Sequence, residues 1–185
     1  MIKLKSIKYR KNLAEYFATK PLYLDDKDKK LNTRKLIEEP WQYYKLQEPN
    51  KLLNLIKNIE VFTKVSEQKD YFIYQKFIVE NTKKIDRINS IWLLFGLHIG
   101  NGENFSYASG LIKQALPLVV SDFGETSYEF VKVMYFFGWT REKMDDLIGA
   151  SDSYSKVRNL IIDSNITECA EFLKLSEKAL LRLNE

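Results

Sequence analysis

In a chain of 185 residues with one histidine and one cysteine, few side chains can begin a reaction. His98 stands inside the apolar run from Ile91 to Ile99, where a histidine held by its packing is expected rather than a general base. Cys169 has no basic neighbour in sequence to lower its thiol pKa, so a buried or idle thiol is expected over a nucleophile. Two such residues cannot assemble a disulfide framework or a Cys/His zinc site. Asp145 and Asp146 are adjacent, so on a helix they point about 100° apart and do not simply share a proton or a metal. They suit the first turn of a helix, where negative charge meets the dipole. Glu38-Glu39 and the cluster Asp25, Asp26 and Asp28 lack the ligand order and the glycine of a calcium loop, and read as solvated charge. Gly100-Asn101-Gly102 lacks the third glycine of a phosphate-cradling loop and falls between two helical stretches, which makes it an inter-helix turn. The expectation is a protein that is no enzyme and holds no cofactor or metal.

The elements that must position any function are helices. Hydrophobic residues make up 45% and aromatic residues 14%, which is core material enough to exclude a disordered chain. The 7 glycines and 4 prolines are too few for an all-β chain, which turns every 8–12 residues. An all-α fold follows. The formal net charge is +4, from 29 basic and 25 acidic residues, and the basic clusters are modest. The N-terminus lacks the apolar run of a signal peptide. The longest uncharged apolar run, Ile91 to Leu97, is far short of the ~18 residues of a membrane span. A cytoplasmic protein without a membrane segment is expected.

Two regions differ in texture, 1–83 and 84–185. The second carries an internal repeat at an offset of 42, which aligns Phe95-Gly96 with Phe137-Gly138 and Ala108-Ser109 with Ala150-Ser151. The first unit reads Trp92-x2-Phe95-Gly96-x2-Ile99, then Ala108-x3-Ile112-x2-Ala115. It resembles a tetratricopeptide (TPR) repeat, and the long period resembles the variant of kinesin light chains. The second unit keeps Gly138 and Ala150 but has Met134 in place of the Trp and Arg141 in place of the Tyr. The expected helices are about Lys84–Ile99, Asn104–Val120, Tyr128–Lys143 and Leu147–Asp163, with Thr126 or Ser127 capping the third. A last helix, about Thr167–Leu183, would cover the open end of the second unit. Gly96 and Ala108 would face one another at a close helix crossing. The resemblance thus implies an irregular helical bundle followed by antiparallel helix pairs of an α-solenoid.

The first region predicts a helix through Tyr9, Leu13, Tyr16 and Phe17 that ends near Lys20-Pro21, then a polar, exposed connector from Asp25 to Asn32. Thr33 would cap a short helix that Pro40 breaks, and Pro40 would start another from Trp41 to Leu46. Pro49-Asn50 would start the next, Ser66 would weakly cap one more, and Tyr71, Tyr74, Phe77 and Ile78 would form that helix's buried stripe. Three elements here occur in order: Leu13-Ala14-Glu15-Tyr16-Phe17, then Arg34-Lys35-Leu36-x2-Glu39-Pro40-Trp41-Gln42, then Leu52 to Phe62. Together they resemble the helical stretch that follows the winged helix of NACHT-type STAND NTPases. No G-x4-G-K-[ST] occurs, so the chain resembles the sensor or regulatory end of such a signalling or defence system rather than its NTPase part.

In TPR arrays the first helix of each unit lines a groove that takes a protein or peptide. The resemblance places Ser90, Leu93, Leu97, Gly100 and Asn101 there in the first unit, and Lys132, Tyr135, Trp139, Glu142 and Lys143 in the second. Tyr135 and Trp139, one turn apart, would form an aromatic ledge with Lys132 and Lys143 at its ends, suited to a peptide with an apolar anchor and an acidic flank. The competing reading packs Tyr135 and Trp139 against the neighbouring unit or the last helix. Two other functions remain open. One is binding of nucleic acid or an anionic surface through Lys3, Lys5, Lys8, Arg10 and Lys11, which the modest basic clusters disfavour. The other is self-association of the repeat face, and the sequence does not state an oligomeric state.

Overall fold

The computed structural model describes residues 2–183 other than 26, with side chains described from residue 6 onward and not at 84 and 85. The side chains of Lys3, Lys5 and Asp26, grouped above with other charges, therefore lie outside the described residues. The chain divides into two compact units, Met1–Thr82 and Lys83–Glu185. The fold class is all-α, with ten α-helices and one pair of very short strands among the described residues.

In the first unit α1 (Ile2–Ala18) packs on α2 (Thr33–Lys45). Ala14 and Phe17 are buried from α1, and Leu36 from α2. The Lys35 ammonium donates to the carbonyls of Phe17 (2.6 Å) and Ala18 (3.4 Å) at the end of α1, and it pairs with Glu39 at 2.8 Å. A cation on the last carbonyls of a helix satisfies acceptors that have no partner within the helix. Tyr43 donates to the other Glu39 oxygen at 3.0 Å, and burial with the Glu39 charge pushes its phenol up to about 12. Much of the segment Arg34–Gln42 thus fastens two helices together.

Several expectations for this unit are corrected. The polar connector is partly ordered, with β1 (Tyr23–Asp25) antiparallel to β2 (Lys30–Leu31) and Tyr23 opposite Leu31. The cap of α2 is Asn32, not Thr33, because its side chain accepts from the Lys35 amide at 3.1 Å. Pro40 does not break α2. A proline deprives the carbonyl four residues earlier of its helical donor, and here the Gln68 amide supplies one, at 3.1 Å from Leu36 O. The stretch Leu52 to Phe62 spans two helices, α3 (Pro49–Ile56) and α4 (Ile59–Ser66), because Asn58 caps the second by accepting from Glu60 and Val61. Ser66 closes α4 instead of capping α5 (Tyr71–Asn81), and its hydroxyl donates to Thr63 O. Tyr71, Tyr74, Phe77 and Ile78 are all buried.

In the second unit α6 (Lys84–Gly100), α7 (Phe105–Phe123), α8 (Tyr128–Lys143), α9 (Leu147–Ser164) and α10 (Ala170–Leu183) each pack on the next. Ring contacts give their directions. Trp92 meets Phe136 and Phe95 meets Trp139, so α6 and α8 run the same way. Phe105, at the start of α7, meets Trp139 near the end of α8, so α7 runs against α8. Ser127 caps α8, accepting from the Phe130 amide at 3.1 Å. Asn165 ends α9 in the left-handed region, and a 3₁₀ turn, Thr167–Cys169, leads into α10.

Candidate functional site

The residues singled out on α8 lie in two neighbouring stripes, each with members seven apart, and the stripes face different helices. Lys132 and Trp139 turn toward the first helix pair. The Lys132 ammonium sits 4.6 Å from the Trp92 ring centre, and Trp139 packs edge-on against Phe105 and Phe136 and tilted against Phe95. Tyr135 and Glu142 turn toward α9 and α10. The Tyr135 ring contacts Tyr154 and Phe172, with centroids 5.5 and 5.3 Å away. Glu142 accepts from the Tyr154 hydroxyl at 2.8 Å and is paired with Arg182 of α10. Edge-to-face and tilted rings are the favourable aromatic arrangements. The side chains of the expected ledge are therefore joined to neighbouring helices rather than set out bare in one row. Phe136, between the stripes, touches Trp92, Phe95, Tyr135 and Trp139.

On α6, Ser90 is buried and donates to Asp86 O, Leu97 and Asn101 are half-buried, and Leu93 and Gly100 are exposed. Lys143, the last residue of α8, is exposed. The close crossing expected at Gly96 and Ala108 is not there. Ala108 is buried, but Gly96 is exposed, and a Cβ added to it would meet nothing within 4 Å. The close approach belongs to Gly138, where an added Cβ would stand 3.0 Å from the Tyr154 ring and 3.1 Å from Ser153 Cβ. Ala150, Tyr154 and Ala179 form a buried cluster beside it, flanked by Tyr135, Leu180 and Leu183.

Of the residues that could do chemistry, His98 and Cys169 are buried and Asp146 caps a helix. His98 is 1% exposed with its ring beside Tyr107, and burial pushes its pKa down to about 4, so it is neutral at pH 7. Cys169 is buried, and burial with Glu168 and Glu129 nearby raises its thiol pKa. Burial also raises Tyr154, reinforced by its hydrogen bond to Glu142. Asp146 caps α9, accepting from Gly149 N at 3.0 Å, while Asp145 precedes it with φ 60°. Among the described residues no group of three or more His, Cys, Asp or Glu could hold a metal ion, and no helix is long and apolar enough to cross a membrane.

The turn joining α8 to α9 carries a surface absent from the expected site. Met144, Leu147 and Ile148 are 38%, 49% and 81% exposed within one short stretch. Their backbone is braced. Met144 N and Asp146 N both donate to Arg141 O at 3.0 Å, and Asp145 N donates to Glu142 O at 3.1 Å. The Arg141 guanidinium donates to Gly149 O at 3.0 Å, pairs with Asp146 at 3.3 Å and lies over the Phe137 ring at 4.4 Å. The sequence signal was available: three large apolar residues around Asp145-Asp146, where a helix start is ordinarily polar. No family model, curated protein or solved structure matches this chain.

Proposed function

We propose that this chain is a non-enzymatic protein-interaction module whose contact surface is the end of the α8–α9 hairpin. The observation that carries the reading is the apolar trio Met144, Leu147 and Ile148, set out to solvent on a turn that Arg141 and Asp146 hold in place. A cluster of exposed apolar side chains marks a contact site more often than chance exposure does. A braced backbone loses little conformational freedom when a partner covers it. The surface moves off the helix-A ledge because Tyr135, Trp139 and Glu142 already serve neighbouring helices.

The TPR-like repeat and the NACHT-like stretch extend the proposal: helix pairs that present a partner-binding surface at the sensor or regulatory end of a STAND-type signalling or defence system, in the cytoplasm. Alternating helix directions from α6 to α8 are compatible with such pairs. Capture from the native cell lysate tests the module. Wild-type protein should retain a partner that Leu147→Asp/Ile148→Asp loses while keeping its circular dichroism. Equal capture by both would remove the hairpin end from the interface.

A further inference from the structure

The first unit holds a cavity unrelated to the hairpin end. It has a volume of about 620 Å³ and lies between β2, the start of α2 and the end of α4, within the 300–1,000 Å³ range of small-molecule sites. Leu31, Leu36 and Ile37 supply its apolar lining, and Lys29, Lys30 and Lys64 its cations. A second cavity of about 260 Å³ shares Lys29, Leu31 and Lys64 and adds the Tyr23 ring, so the apolar surface continues past the cations.

The lining of the larger cavity carries three lysines to one carboxylate, with Asp25 opposite Lys30 across the strands just outside it. Glu67 is the carboxylate that lines the larger cavity, and both its oxygens are taken by Lys64, at 3.0 and 3.1 Å. Among the described residues, neither Lys29 nor Lys30 is ion-paired, and the Lys29 ammonium lies over the Tyr23 ring at 4.7 Å. Glu60 lines only the smaller cavity. An anion seated at this apolar space would pair with Lys29 and Lys30, and could share Lys64 with Glu67. The walls are fixed by contacts already made. Tyr23 is paired with Leu31 across the strands, and Gln68 is held on the Leu36 carbonyl.

We infer that this cavity binds a small organic anion with a flat apolar body, its charged end among Lys29, Lys30 and Lys64 and its body against Leu31, Leu36 and Tyr23. The apolar lining and the cations are both required, which separates this ligand from inorganic anions and from neutral aromatics.

Titration of the full chain with 8-anilinonaphthalene-1-sulfonate, an aromatic sulfonate that fluoresces when its rings are buried, tests the inference. The expected result is saturable binding of one equivalent, weakened about tenfold or more in Lys29→Glu/Lys64→Glu. Lys51→Glu/Lys76→Glu changes the net charge equally at exposed sites of the same unit and should leave the affinity unchanged. N-phenyl-1-naphthylamine, the uncharged counterpart, and pyrophosphate, the anion without a body, should each bind at least tenfold more weakly than the sulfonate. Lys29→Gln/Lys64→Gln repeats the test without new negative charge and should also weaken binding. Equal affinity in wild type and both cavity variants overturns the inference. So does an equal loss in the Lys51/Lys76 control, or equal binding of the neutral probe.

Discussion

Gly96 and Gly138 occupy equivalent places in a 42-residue repeat, each after a phenylalanine and each 12 residues before an alanine. Their surroundings differ completely. Gly138 is closed over by Tyr154 and Ser153 of α9, while Gly96 is open to solvent and has nothing where a Cβ would go. Below Gly138 the buried cluster ties α9 to α10, and the Tyr154 hydroxyl and Arg182 converge on Glu142. The first pair is joined differently, with His98 against Tyr107, and Ala108, Leu111, Ile112 and Ala115 are buried on α7. A matched residue type at a repeat position therefore carries no guarantee of the matched contact. The neighbour that fills or leaves the space decides.

The largest effect expected from this difference is at Tyr154. It is fully buried, and Tyr154→Ala should cost about 3–5 kcal/mol in chemical denaturation, the range for a core aromatic. His98 sharpens the contrast from the first pair. Its pKa is depressed from 6.5 to about 4 in the fold, so the unfolded chain binds more protons between those values. Stability should accordingly fall as pH drops from 6.5 toward 4, by up to about 3 kcal/mol from this group. His98→Gln should flatten that part of the pH–stability profile, whereas Tyr154→Phe should leave its slope unchanged. Gly138→Ala should cost about 1–3 kcal/mol, because the buried Tyr154 ring must yield to the new methyl. Gly96→Ala should act in the opposite direction, raising stability by about 0.5–1 kcal/mol through helix propensity alone. If the two glycine variants shift denaturation midpoints in the same direction, the contrast between the pairs is lost.

What could be read from the sequence followed local rules. Ser127 before an apolar run set the start of α8, and Gly100-Asn101-Gly102 marked the turn after α6. The buried stripe of α5 followed from its spacing. The failures came from partners distant in the chain. Pro40 looked like a helix break because nothing near it shows that Gln68 will take the Leu36 carbonyl. For Tyr135 and Trp139 the sequence left a groove ledge and packing on the neighbouring unit or last helix both open, and the helical wheel alone does not say that α10 contacts one while α6 and α7 contact the other. The exposure of Met144, Leu147 and Ile148 at the α8–α9 turn does not follow from helical spacing, which orders residues around a helix and not at its end.

The central claim is a division of labour on the second hairpin: the α8 aromatics hold helices together, and the apolar turn beyond them adds little to the stability of the fold. Thermal unfolding of Trp139→Ala beside Ile148→Asp tests it most directly. The account predicts a midpoint lowered by about 5 °C or more for Trp139→Ala, which strips a ring from contacts with Phe95, Phe105 and Phe136. It predicts a midpoint within about 1 °C of wild type for Ile148→Asp, whose side chain is 81% exposed. A wild-type midpoint for Trp139→Ala, or a large fall for Ile148→Asp, would contradict it.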